Sequence, residues 1–97
     1  MPDLSQAIGV YVGAGERSFP KESLSRVVAR FGVPAGLWLG LSARTVVKRL
    51  RRIKPDWDRH DLSEASEAAA EAMCGRDKRL NDEARQALVW IYSWWWK

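Results

Sequence analysis

Arg44, Lys48, Arg49, Arg51, Arg52 and Lys54 place six positive charges within eleven residues, with no acid among them. Cations held this close repel one another, so a compensating partner is expected. One such partner is internal: Glu64, Glu67 and Glu71 recur at helical spacing further along the chain and could neutralise the basic stretch. The other is the phosphate backbone of a nucleic acid, where each bound cation releases counterions and adds affinity.

Other residues with chemical potential are sparse. His60 stands between Asp58 and Asp61 and offers half of an acid–base pair, but no nucleophile is placed beside it. Cys74 is the lone cysteine, so no internal disulfide can form, and no His or Cys lies near it at zinc-ligand spacing. Gly13-Ala14-Gly15-Glu16-Arg17-Ser18 is glycine-rich. It lacks both the third glycine of a dinucleotide fingerprint and the Gly-Lys-Ser/Thr ending of a P-loop. Neither catalysis nor a metal or cofactor is expected.

The elements that must position these residues read as helices. Residues 1–19 are undecided: Ala7 to Val12 suits a strand or a frayed helix, and the glycines after it suit a loop. A helix is predicted from Pro20 to Phe31, with Ser18 as cap, Gly32 past its end, and Leu24, Val27, Val28 and Phe31 as its apolar stripe. A short apolar piece, Pro34 to Leu39, is expected to end at Gly40. Ser42 then caps a helix running to Lys54, where Pro55 stops it. Asp61-Leu62-Ser63-Glu64 has capping-box spacing ahead of an alanine-rich helix closed by Gly75, and Asn81 caps a last helix reaching Trp96.

Leu39-Gly40-Leu41-Ser42-Ala43-Arg44-Thr45-Val46-Val47-Lys48-Arg49-Leu50 resembles the turn and recognition helix of helix-turn-helix DNA-binding domains. The resemblance covers residues 20–54. It implies a sharp turn at Gly40, a cap at Ser42, Val46 and Leu50 packed inward, and a helix lying in the major groove of duplex DNA. On that reading Arg44, Thr45 and Lys48 reach groove edges, while Arg49, Arg51, Arg52 and Lys54 hold phosphates. The segment before Gly40 departs from the family: it carries Pro34 and Gly36, and Trp38 stands where a polar residue is more usual.

The C-terminal segment carries a second signal. Four of the six tryptophans are Trp90, Trp94, Trp95 and Trp96. Ala84, Ala87, Leu88, Ile91, Trp94 and Trp95 define an inward stripe, with Trp90, Tyr92 and Trp96 on other faces. A terminal helix apolar on so many sides either caps the core against Trp38 and Trp57 or offers a partner a surface. The four tryptophans are therefore the expected partner-binding residues, for a homodimer or another protein.

Length and composition set the frame. At 97 residues and 46 % hydrophobic, the chain suits one all-α domain, a small bundle of four or five helices. Charge is uneven: residues 1–55 carry ten Lys or Arg against three Asp or Glu, and residues 56–97 carry six against nine. The basic half 20–54 and the acidic, tryptophan-rich half 55–97 thus present different surfaces. No secretory leader is expected, and the most apolar segment, Ala87 to Trp96, would span only about 15 Å of a roughly 30 Å hydrocarbon core, so no membrane insertion is expected. The lone thiol fits a reducing, cytoplasmic setting. The leading expectation is a small DNA-binding regulator. The alternative is a non-enzymatic inhibitor or adaptor that binds another protein; phage anti-defence and toxin-immunity proteins share its size and its lack of active-site chemistry.

Overall fold

The computed structural model describes residues 4–14 and 20–96, which form five α-helices: α1 (Leu4–Val12), α2 (Leu24–Phe31), α3 (Ala35–Arg51), α4 (Leu62–Arg76) and α5 (Asp82–Trp95). Among the described residues there is no strand. The molecule is a small helical bundle with one core.

The segment left undecided by its sequence lies at the centre. α1 packs on α2, α3 and α5 together, burying Leu4, Ala7, Ile8, Tyr11 and Val12. Its helical pattern is hard to read because nearly every residue is covered, so no polar face marks the period. The Ser5 hydroxyl is fully buried and answers the polar groups around it. It donates to the Arg79 carbonyl (3.0 Å) and accepts from the Asn81 amide (2.9 Å), tying α1 to the α4–α5 turn. The far end of α1 is closed by Arg26, which donates to the carbonyls of Val10 (3.1 Å) and Tyr11 (3.0 Å) and to that of Lys21. The Val10 and Tyr11 carbonyls are helix-end acceptors that no further turn of α1 satisfies.

Several boundaries differ from expectation, among them the end of α3, which stops at Arg51 rather than Lys54. α2 begins at Leu24, capped by Ser23, rather than at Pro20; the expected cap Ser18 lies outside the described residues. The intervening Lys21 and Ser23 amides donate instead to the Val12 and Tyr11 carbonyls, which holds this stretch out of the helix. More consequential, Gly40 is not a turn and Ser42 is not a cap. Both lie inside the single helix Ala35–Arg51.

The reason is packing between α2 and α3. A Cβ on Gly36 would sit 2.7 Å from Val28 Cα and 2.9 Å from the Val27 carbonyl oxygen, and one on Gly40 would run into Leu24 Cδ1. The two glycines, four residues apart, thus let the helix backbones approach; they interrupt nothing. Gly36→Ala is expected to lower stability by about 2 kcal/mol, because backbone cannot move aside cheaply. Gly40→Ala clashes with the end of a flexible leucine, has Val27 in ordinary contact, and gains roughly 1 kcal/mol of helix propensity, so it should be nearly neutral. Denaturant titration of both variants checks the contrast.

α4 and α5 form an antiparallel pair. The capping box at Asp61 and Glu64 is present, as its spacing predicts, and Asn81 caps α5. α4 runs through Gly75 to Arg76 and presents alanines to the core, allowing close approach. On α5 the inward residues are Ala84, Ala87, Leu88, Ile91 and Tyr92. Tyr92, expected on another face, is fully buried and donates its hydroxyl proton to the Ile53 carbonyl (2.7 Å). Trp94, expected inward, is 43 % exposed. Tyr92 lies four residues past Leu88 and extends the buried stripe on one side, whereas Trp94 falls just beyond its opposite edge. Trp38 and Trp57 are exposed and do not close the core. No helix among the described residues is long and apolar enough to cross a membrane.

Candidate nucleic-acid interface

α3 buries Gly36, Gly40, Ala43, Val46, Val47 and Leu50, and this inward stripe fixes which side chains can face outward. Leu37, Trp38, Leu41, Thr45, Lys48, Arg49 and Arg52 recur at spacings of three and four along the exposed side. The face changes character along its length. Its first half is apolar, with Trp38 71 % exposed and Leu41 43 % exposed; its second half is basic.

The six cations divide into two groups. Arg44 and Arg51, seven residues apart, lie at the inner edge of the face. Arg51 pairs with Glu22 (2.7 Å), and its guanidinium carbon stands 4.6 Å from the centroid of the Trp95 ring. The Tyr11 hydroxyl donates to the other Glu22 oxygen (3.3 Å), and Arg44 stands near enough to Tyr11 to act on its pKa. Burial, aided by Glu22 and opposed by Arg44, holds Tyr11 above its ordinary pKa, so the phenol stays protonated and able to donate. These two arginines therefore join α3 to the loop ahead of α2, to α1 and to α5.

Lys48, Arg49, Arg52 and Lys54 form the other group. All four are exposed, and among the described residues none is ion-paired. Arg49 is close enough to Asp77 to help lower its pKa, although the main cause there is the Arg79 side chain hydrogen-bonded to the carboxylate. Lys54 lies just past α3, in the link leading to Pro55. Thr45 is exposed, with its hydroxyl proton given to the Leu41 carbonyl (3.1 Å).

The internal neutralisation by the acidic helix does not occur. Glu71 and Glu67 pair with Arg85 of α5 (3.1 and 3.8 Å), and Glu64 is engaged in its capping box. The acidic face serves the α4–α5 pair and leaves the basic end of α3 uncompensated.

The chain does form two helices joined by a short glycine-containing turn, but at Gly32-Val33-Pro34, eight residues before the expected position. The residues opening the second helix are thus Ala35, Leu37 and Trp38 instead of Ala43, Arg44 and Thr45. The apolar piece was legible, but not that it opens the helix; the signal was the run Leu37, Trp38 and Leu39 between the packing glycines Gly36 and Gly40.

The other chemical candidates separate. His60 is half-buried in the link before α4. Burial pushes the Cys74 thiol up, with Glu71 adding to it, so little thiolate is present near neutrality. No group of three His, Cys, Asp or Glu is placed to hold a metal among the described residues. Of the C-terminal tryptophans, Trp94 and Trp96 are exposed (43 % and 37 %), while Trp90 and Trp95 are half-buried against the core. No known protein family, characterised protein or solved structure matches the chain.

Proposed function

We propose that this protein binds duplex DNA through the basic half of the outer face of α3. The observation that carries the reading is the exposed group Lys48, Arg49, Arg52 and Lys54, which has no ion pair among the described residues although an acidic helix lies in the same small molecule. Such cations match phosphates, which give affinity and position; base-edge contacts would have to come from Thr45 and its neighbours. Arg44 and Arg51 contribute indirectly, by fixing α3 on the rest of the bundle. Titration of a fluorescent random-sequence duplex at several salt concentrations tests this. Four phosphate contacts predict that log affinity falls with log salt at a slope near −3.6, about −0.9 per contact. Binding that is absent at low salt would end the proposal.

A second reading rests on a separate observation. Val33 (75 % exposed), Leu37, Trp38 and Leu41 form an apolar surface at the start of α3, and Trp94 and Trp96 form another on α5. These suit a protein partner or a second copy of the chain, as in an inhibitor, an adaptor or a dimeric regulator. Sedimentation of the wild type beside Trp94→Ala/Trp96→Ala shows whether the α5 surface mediates self-association.

A further inference from the structure

Gly9 is a helical glycine that the fold does not require. It lies in the middle of α1, its φ is not positive, and a Cβ added there would meet only Glu83 Oε1, at 4.0 Å. Alanine would fit and would be worth roughly fivefold in folding equilibrium, since glycine inside a helix costs about that much. Gly36, by contrast, is held to glycine by backbone against it. Gly9, itself buried, is one of the residues lining a cavity of about 430 Å³ between α1, α2 and α5.

The walls of that cavity are chemically two-ended. Arg30 and Glu83 both line it, both are exposed, and neither is ion-paired among the described residues, so opposite charges stand in one cavity without meeting. Phe31 and Trp90, both half-buried, supply aromatic surface, and Gln86 adds an amide. The cavity's volume lies within the roughly 300–1,000 Å³ usual for a small-molecule site.

We propose that this cavity binds a small zwitterion carrying an aromatic ring. Its ammonium group meets the Glu83 carboxylate, its carboxylate meets Arg30, and its ring lies against Phe31 and Trp90 beside the Gly9 backbone. Gly9 is glycine to keep that wall free. The site shares no residue with the outer face of α3 and stands or falls independently of DNA binding.

The probes are L-phenylalanine, phenethylamine with the ammonium alone, and 3-phenylpropionate with the carboxylate alone. Shifts of the Gly9 amide and Trp90 indole proton resonances are followed on the full chain. Phenylalanine is expected to give saturable shifts at both sites, with each half-charged analogue at least about tenfold weaker. Arg30→Gln and Glu83→Gln should each weaken phenylalanine about tenfold. Gly9→Ala should raise the melting temperature while weakening phenylalanine binding, a pairing that a purely structural glycine cannot produce. No saturable shift up to about 10 mM phenylalanine, equal binding of all three probes, or unchanged binding by Gly9→Ala would each overturn the assignment.

Discussion

Ile8→Ala is expected to lower the unfolding free energy by about 3–4 kcal/mol, among the largest losses available from one side chain in this protein. Ile8 is fully buried on α1, which packs against α2, α3 and α5 together. Truncating it removes apolar area from the core and leaves a cavity that helices on several sides cannot close at once, the circumstance in which large-to-small changes cost most. Total stability for a domain of this size is about 5–15 kcal/mol, so the variant should retain its fold with a visibly earlier denaturant midpoint. Leu41→Ala removes a similar side chain from the exposed face of α3 and should cost no more than about 0.5 kcal/mol. Equal losses in the two variants would show that α1 is not the hub described above.

Ile8 also marks the limit of what the sequence discloses. Amphipathic elements were legible: α4 and α5 have their predicted capping residues, and the all-helical class follows from their periodicity and that of the basic stretch. α1 was not legible, because a helix covered on all sides shows no alternation between apolar and polar positions. Gly40 misled for a related reason. A glycine flanked by leucines before a serine reads as a turn and a cap, and only the partner helix reveals that it serves close packing. Tyr92 and Trp94 were exchanged because both are amphipathic aromatics, and a two-residue step rotates a side chain from stripe to edge. At the candidate interface the cations themselves were plain in the sequence. Their division was not, because Glu22, Tyr11 and Trp95, which engage Arg51 and Arg44, come from three distant places in the chain.

That division yields a crossed prediction in which binding and stability separate. Lys48→Gln with Arg52→Gln should reduce the salt slope of duplex binding by about 2 and weaken binding at 0.1 M salt by about a hundredfold, since each phosphate contact contributes roughly tenfold there. Stability should hardly change, because neither side chain is ion-paired among the described residues. Arg44→Gln with Arg51→Gln should do the opposite. The Arg51–Glu22 pair is partly exposed, with side-chain exposures of 56 % and 29 %, so solvent screening holds its worth to no more than about 1 kcal/mol. The contact with the Trp95 ring adds about 0.5–1 kcal/mol, and losing both leaves Glu22 without its cation. A stability loss of about 1–2 kcal/mol is expected, with the salt slope nearly unchanged. If both double variants lost the same slope, Arg44 and Arg51 would be phosphate ligands as well, and their contacts to Tyr11 and Glu22 would have to open on binding. If neither lost any, the uncompensated charge on α3 would be directed at something other than nucleic acid, and the apolar half of the same face would become the surface to test.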